Sequence, residues 1–232
     1  MPSSFELREV TAGPPGAPIL RSVSVAVPCA GITVLAGPSG AGKSSLLRLL
    51  NRLDDPHRGE VARDGRDVRT WEPTELRRRV AMVFQRAPVF PGTVLDNLQV
   101  ACPSLDAEAA EAALSRVGLD PALLGRTATD LSGGEAQRMC FARALATEPQ
   151  VMLADEPTAS LDGASRRTIE ALGRDLADGG MPFVWVSHDV VQLRRLADHV
   201  IVLVDGAVAA SGPLAELDEH DDALVRDLVG AT

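Results

Sequence analysis

Gly37-Pro38-Ser39-Gly40-Ala41-Gly42-Lys43-Ser44 follows the apolar run Ile32 to Ala36 and leads through Ser45 into Leu46 to Leu50. The order reads as strand, glycine-rich loop, helix. Glycines let backbone N–H groups turn toward a polyphosphate, and the N-terminus of the following helix adds partial positive charge. In such a loop Lys43 reaches the β- and γ-phosphates and the Ser44 hydroxyl ligates Mg²⁺. Of the 23 basic residues Lys43 is the only lysine. A chain that otherwise uses arginine keeps one compact ammonium here, where a planar guanidinium would fit a tight anion nest badly. A glycine-rich turn between core elements is the plainer alternative, and it accounts for neither the lysine nor the spacing.

With 232 residues, 45% of them apolar, the chain can bury a sizeable core as one domain carrying a subdomain. A net charge of −9 argues against a broad nucleic-acid surface, which needs clustered cations to neutralise phosphates. Cys29, Cys102 and Cys140 are widely spaced and odd in number, so neither a disulfide framework nor a zinc site is expected, and a reducing compartment is. No apolar run approaches the roughly 18 residues of a spanning helix. Met1-Pro2-Ser3-Ser4-Phe5-Glu6 lacks a basic region followed by an apolar one, so no secretory leader is expected and any membrane role comes through a partner.

Phe5 to Val10 and Ser22 to Val27 alternate and are separated by Gly13-Pro14-Pro15-Gly16, which predicts paired antiparallel strands. A second hairpin is predicted over 60–68 with Asp64-Gly65 as its turn. Together they form an antiparallel layer beside the phosphate-loop strand, and the helix opened by Ser45 ends at Asn51 to Pro56. Thereafter unbroken apolar runs stop at polar residues: Val80 to Phe84 at Gln85, Val151 to Ala154 at Asp155-Glu156, Phe183 to Val186 at Ser187-His188. Unbroken runs indicate strands covered on both faces, and with Ile32 to Ala36 they make four parallel strands whose carboxyl ends converge on one ligand.

A carboxylate directly after such a strand commonly holds Mg²⁺, the reading for Asp155, and Glu156 beside it can position or deprotonate water. An acidic pair capping the next helix is the alternative. Asp162 is the expected cap of a helix running to Leu172. Leu131-Ser132-Gly133-Gly134-Glu135 reads as a capping box opening a helix to Thr147, and Gly133 and Gly134 leave bare amides that also suit an anion.

Together with Lys43, Gln85, Asp155-Glu156, Asp162 and His188, this segment resembles the ATP-binding cassette (ABC) transporter ATPases along nearly the whole chain. The resemblance implies an α/β fold: a phosphate-loop NTPase core with a parallel sheet over residues 1–85 and 131–232, its antiparallel layer, and a helical subdomain inserted at 86–130. It implies ATP and Mg²⁺ as ligands. Two copies would pack head to tail, each ATP held between residues 37–45 of one copy and Ser132 to Glu135 of the other. Glu156 would act on water, His188 would contact the γ-phosphate, Gln85 would sense Mg²⁺ and water, and Asp162 would lie at the seam. The implied partners are a transmembrane permease and, for an importer, a solute-binding protein, but no nucleic acid. The implied location is cytoplasmic, on the inner face of the membrane.

Arg86 to Pro91 would be the hinge into the subdomain and Leu105 to Val117 its Ala-rich helix. Val89 and Phe90 either meet the permease or pack inside. Family members often stack adenine on an aromatic residue between the first two strands, but this chain has no tyrosine, its matching region reads Val10 to Pro15, and Phe5 is too early. Weak or apolar base contact and modest discrimination between ATP and GTP are therefore expected. Glu135 stands where glutamine is frequent. The stretches Leu46 to Asp54 and Phe90 to Asn97 resemble phosphate-import ATPases, and small ATPases of metal-tolerance or iron-homeostasis permeases look similar. Asp218 to Val229 reads as one short acidic amphipathic helix, a solvated cap rather than a regulator. A nucleic-acid or ribosome ATPase is disfavoured by the single cassette, the missing heptads and the acidic balance. A non-transport subunit that uses ATP to reshape a membrane complex remains open.

Overall fold

In a computed structural model, which describes residues 4–86 and 88–230, the apolar runs take their expected places in two sheets. Strands β1 (Ser4–Ala12) and β2 (Leu20–Pro28) pair antiparallel, and β3 (Ile32–Ala36) leads through the phosphate loop into α1 (Lys43–Leu50). Strands β4 (Arg58–Arg63) and β5 (Arg66–Asp67) form the second hairpin, and the antiparallel sheet has the order β2-β1-β4-β5. Helix α2 (Pro73–Arg79) precedes β6 (Val80–Val83), after which α3 (Val94–Gln99), α4 (Ala107–Arg116) and α5 (Gly133–Leu145) follow. The chain then alternates: β7 (Val151–Asp155), α6 (Gly163–Asp178), β8 (Phe183–Val186), α7 (Val190–Leu196), β9 (His199–Val204), β10 (Ala207–Pro213). Two short helices, α8 (Leu214–Leu217) and α9 (Ala223–Val229), complete the described chain.

The second sheet has the order β10-β9-β3-β8-β7-β6, parallel except for β10 at its edge. Its unbroken apolar runs are explained by the two-residue period of strands. Ile32, Val34, Phe183 and Trp185 face the helical layer with Met139 and Leu172, whereas Leu35, Val184 and Val186 face α1 and the antiparallel sheet. Helix α1 is therefore wedged between the two sheets, with Leu46, Leu47, Leu49 and Leu50 buried.

Several elements differ from expectation, among them the ends of β6 at Val83 and of α5 at Leu145. The parallel set has a fifth strand, β9, whose run follows a helix and ends at Asp205-Gly206 rather than at a chemical group. Helix α6 continues past Leu172 to Asp178, and α4 is trimmed at both ends, with Asp106 as its cap. Residues 218–229 are not one helix: α8 ends at Leu217 and α9 begins only after Asp222, whose carboxylate accepts from Leu224 N. The apolar side of the segment packs inward, with Val225 and Val229 fully buried, and Asp218 pairs with Arg194 at 2.7 Å. Ala87, inside the expected hinge, lies outside the described residues, as do residues 1–3 and 231–232.

Candidate functional site

Helices α2 to α7 and α9 each begin with a side chain that caps a backbone amide; α1 begins at Gly42 with no side-chain cap and no acid in its first turn. Its first amides and the positive end of its dipole are left to an external anion. Gly37 sets the loop's path, with φ 136° and the Leu203 carbonyl so near that a Cβ would lie 2.0 Å from its oxygen. Lys43 is 5% exposed, and its Nζ donates to the carbonyls of Gly37 and Pro38 at 2.8 and 2.9 Å. Burial lowers its pKa, while the Glu156 and Asp155 carboxylates pull it back up. Ser39, Gly40, Gly42, Ser44 and Ser45 line the same cleft; Pro38 is exposed and Ala41 is buried against the core on α1.

Ser44 Oγ donates to Asp155 Oδ1 at 2.7 Å, joining the loop to the end of β7. Asp155 is pushed above the usual carboxylate range, chiefly by burial, against the hydrogen bond from Ser44. No cluster of three metal-ligating side chains occurs among the described residues. Mg²⁺ does not require one, since it takes one or two protein oxygens together with phosphate oxygens and water. A hydroxyl and a carboxylate whose burial disfavours its bare charge fit that requirement.

Glu156 follows with φ 44°, a left-handed backbone unusual for a residue with a side chain. Its Oε2 lies 3.1 Å from His188 Nδ1, so the ends of β7 and β8 do meet. A carboxylate acceptor assigns the proton to Nδ1 and leaves Nε2 to face outward. Gln85 is less closely joined. It is exposed just beyond β6, level with Glu156 if the Val83↔Ala154 register is continued, and takes no part in these hydrogen bonds.

Ser132 and Glu135 form the expected capping box: Ser132 N donates to Glu135 Oε2 at 2.8 Å and Glu135 N to Ser132 Oγ at 3.3 Å. That box leaves the Gly133 and Gly134 amides to other acceptors. Gly134 is also a packing requirement, because a Cβ there would lie 2.6 Å from Ser165 Oγ. Asp162 caps α6 through Ala164 N, Ser165 N and Ser165 Oγ. The cleft around Lys43 includes none of Ser132 to Glu135. One copy of the chain thus presents the phosphate loop and the glycine-rich helix start as separate surfaces.

Two features escaped the sequence. Ile19, 39% exposed just before β2, lines the Lys43 cleft and lies beyond the stretch Val10 to Pro15. Its signal was an apolar residue after Pro18, indistinguishable from the start of a strand. Phe90 is 41% exposed and Val89 half-buried against the core, and the Arg143 guanidinium lies 4.9 Å from the Phe90 ring centroid. Phe90 borders an apolar groove of about 310 Å³, lined also by Met82, Phe84, Val100 and Cys140.

A family model described as ABC transporter matches residues 20–159. Protein STAR1 of Oryza sativa subsp. japonica is 44% identical over 218 residues, covering 91% of this chain and 62% of that protein. Phosphate import ATP-binding protein PstB 2 of Natronomonas pharaonis is 37% identical over 241 residues, covering 95% of this chain and 84% of that one. Among solved structures, a bacterial Atm1-family ABC exporter with ATP bound superposes with a TM-score of 0.86 at 28% identity, over 99% of this chain and 41% of that chain. The chain therefore spans 62% of the first relative and 41% of the exporter chain, in both cases less than two thirds.

Proposed function

Because the chain belongs to the ABC transporter family, whose cassettes bind and hydrolyse ATP, we propose that it is an ATPase subunit that dimerises on ATP to power solute transport, with inorganic phosphate import as the leading process. The observation that carries this reading is the split of the anion-binding groups: α1 and Lys43 on one surface, the Gly133-Gly134 amides on another. Two copies arranged head to tail would bring both to one triphosphate, so that charge is neutralised from two sides and nucleotide holds the dimer together. Residues 37–45 cradle the phosphates. Ser44 and Asp155 would hold Mg²⁺, which would supply charge neutralisation at the phosphates, and Gln85 would sense Mg²⁺ and water. Glu156 orients and polarises the attacking water, His188 fixes Glu156 through Nδ1 and contacts the γ-phosphate, and Asp162 lies at the seam with Ser132 to Glu135 of the partner copy.

Residues 1–85 and 131–232 form the catalytic core of this reading, and 86–130 the helical subdomain. Among the described residues no helix is long and apolar enough to cross a membrane, so a permease subunit would provide the pathway and a solute-binding protein the capture step. The subunit would work from the cytoplasmic face. Phosphate import is supported by relatives named phosphate import ATP-binding proteins and by the resemblance of Leu46 to Asp54 and Phe90 to Asn97. The likeness to the Atm1-family ABC exporter supports export as a second reading, and the resemblance to small ATPases of metal-tolerance or iron-homeostasis permeases gives it a metal or iron cargo.

Light scattering with Mg²⁺-ATP tests the proposal. Glu156→Gln is expected to abolish turnover and to accumulate an ATP-bound dimer that the parent forms only transiently. A variant that hydrolyses ATP at the parental rate would remove Glu156 from its role, and a chain that binds ATP yet stays monomeric as Glu156→Gln would remove Ser132 to Glu135 from theirs.

A further inference from the structure

Glu156 depends on a backbone conformation that its own residue type disfavours, and such a conformation persists only where the surroundings over-determine it. On one side the β7 ladder holds it, with Asp155 paired to Val186. On the other, Ala159 N donates to the Glu156 carbonyl at 3.1 Å and buried Pro157 leads to Thr158, 3% exposed, the first polar side chain of the loop to be anchored across the core. Its hydroxyl oxygen accepts from Gln192 Nε2 at 2.8 Å.

Gln192 stands on the first turn of α7, four residues after His188, and is itself 3% exposed. Every polar atom of its amide is used. Nε2 donates its second hydrogen to Glu170 Oε1 on α6 at 2.9 Å, and Oε1 accepts from Trp185 Nε1 on β8 at 3.3 Å. Glu170 is 5% exposed and its charge is met by Arg195 at 3.0 Å, so the network is closed. One amide thus joins the loop that carries Glu156, the strand that leads to His188, the helix that follows His188, and α6. An apolar side chain of the same size would fill the space and hold none of these partners. A buried polar group this fully paired specifies one arrangement of the elements around it.

We infer that Gln192 is a positioning residue for hydrolysis: by tying Thr158 to α7 it fixes the Glu156 carboxylate against His188 Nδ1. The inference rests on the proposed role of Glu156. Displacing a general base by an ångström costs up to about a hundredfold in rate while leaving the phosphate loop, and so ATP binding, untouched.

The test is steady-state and single-turnover ATP hydrolysis by the full chain carrying Gln192→Leu, Thr158→Val or Thr158→Ser. We expect kcat to fall about tenfold to a hundredfold for Leu and Val at nearly unchanged KM, with Thr158→Ser retaining the parental rate because the hydroxyl remains. The double variant should be no slower than the worse single one, since both remove the same tie. Loss of melting temperature with kcat unchanged in Thr158→Val would overturn the inference, as would equal losses in Thr158→Val and Thr158→Ser. Should Gln192→Leu fail to fold, the Thr158 pair decides alone. Failure of the underlying reading looks different: Glu156→Gln would then hydrolyse ATP like the parent, whatever the Gln192 and Thr158 variants do.

Discussion

At Asp155 stability and function pull in opposite directions. Burial raises its pKa, so the folded chain binds that proton more tightly than the unfolded chain does. The resulting stabilisation is complete below the ordinary carboxylate range and is lost as pH rises through the raised value, so at neutral pH the ionised group is a net cost. Asp155→Asn keeps an acceptor for Ser44 Oγ and removes the charge. In the absence of nucleotide it is expected to melt about 2–4 °C higher at pH 7, solvent screening of the partly exposed group holding the gain to about 1 kcal/mol. That advantage should shrink as pH is lowered toward the carboxylate range, and the part of ATP stabilisation that requires Mg²⁺ should vanish. Thermal melts with and without Mg²⁺-ATP across pH check both signs; a variant less stable than the parent at pH 7 would contradict the account. Asp155 and Glu156 were legible as a pair because they end an apolar run, but the left-handed backbone of Glu156 was not. Backbone strain of this kind is imposed by contacts such as Thr158 with Gln192, 34 residues apart in the chain.

Among the elements, α1 and α5 divide the labour of helix starts. Helix α5 ties down part of its first turn with Ser132 and Glu135 and leaves the Gly133 and Gly134 amides, while α1 has no side-chain cap at all. Ser132→Ala is expected to cost about 1 kcal/mol, as loss of an N-cap does, and to lower the melting temperature by about 2–4 °C. It should leave ATP affinity of the monomer unchanged and weaken ATP-driven dimerisation, a split that titration and light scattering measure separately. Dimerisation at the parental level would place Ser132 outside the seam. The groove beside Phe90 makes a second test at this scale. Replacing Val89 with Ala and Phe90 with Ser should leave basal hydrolysis intact and abolish binding to the permease. Unfolding would instead assign both residues to the core, although Phe90 is two-fifths exposed. The capping box could be read from its four-residue spacing, which is local; the groove could not, because α5 and the segment after β6 build it from opposite ends of the subdomain.

For the whole molecule, the place of Ile19 beside the Lys43 cleft leads us to expect an aliphatic base contact without stacking. Stacking on an aromatic ring adds attraction beyond burial, and an aliphatic side chain supplies only the burial. ATP and GTP are therefore expected to be hydrolysed at rates within a few-fold of each other, and a strong ATP preference in a competition assay would show a base contact elsewhere. The strand, loop and helix around Lys43, the apolar strands, the two hairpins and the capping residues Ser132 and Asp162 were legible in the chain, since each rests on periodicity or on residues a few positions apart, and the family resemblance was legible with them. That β9 joins the parallel set, that α9 packs against α7, that Ile19 borders the cleft and that Gln192 links the Glu156 loop to α7 emerged from packing. These depend on which faces meet after the sheets close over α1, and spacing along a chain does not encode contacts between residues brought together only by packing.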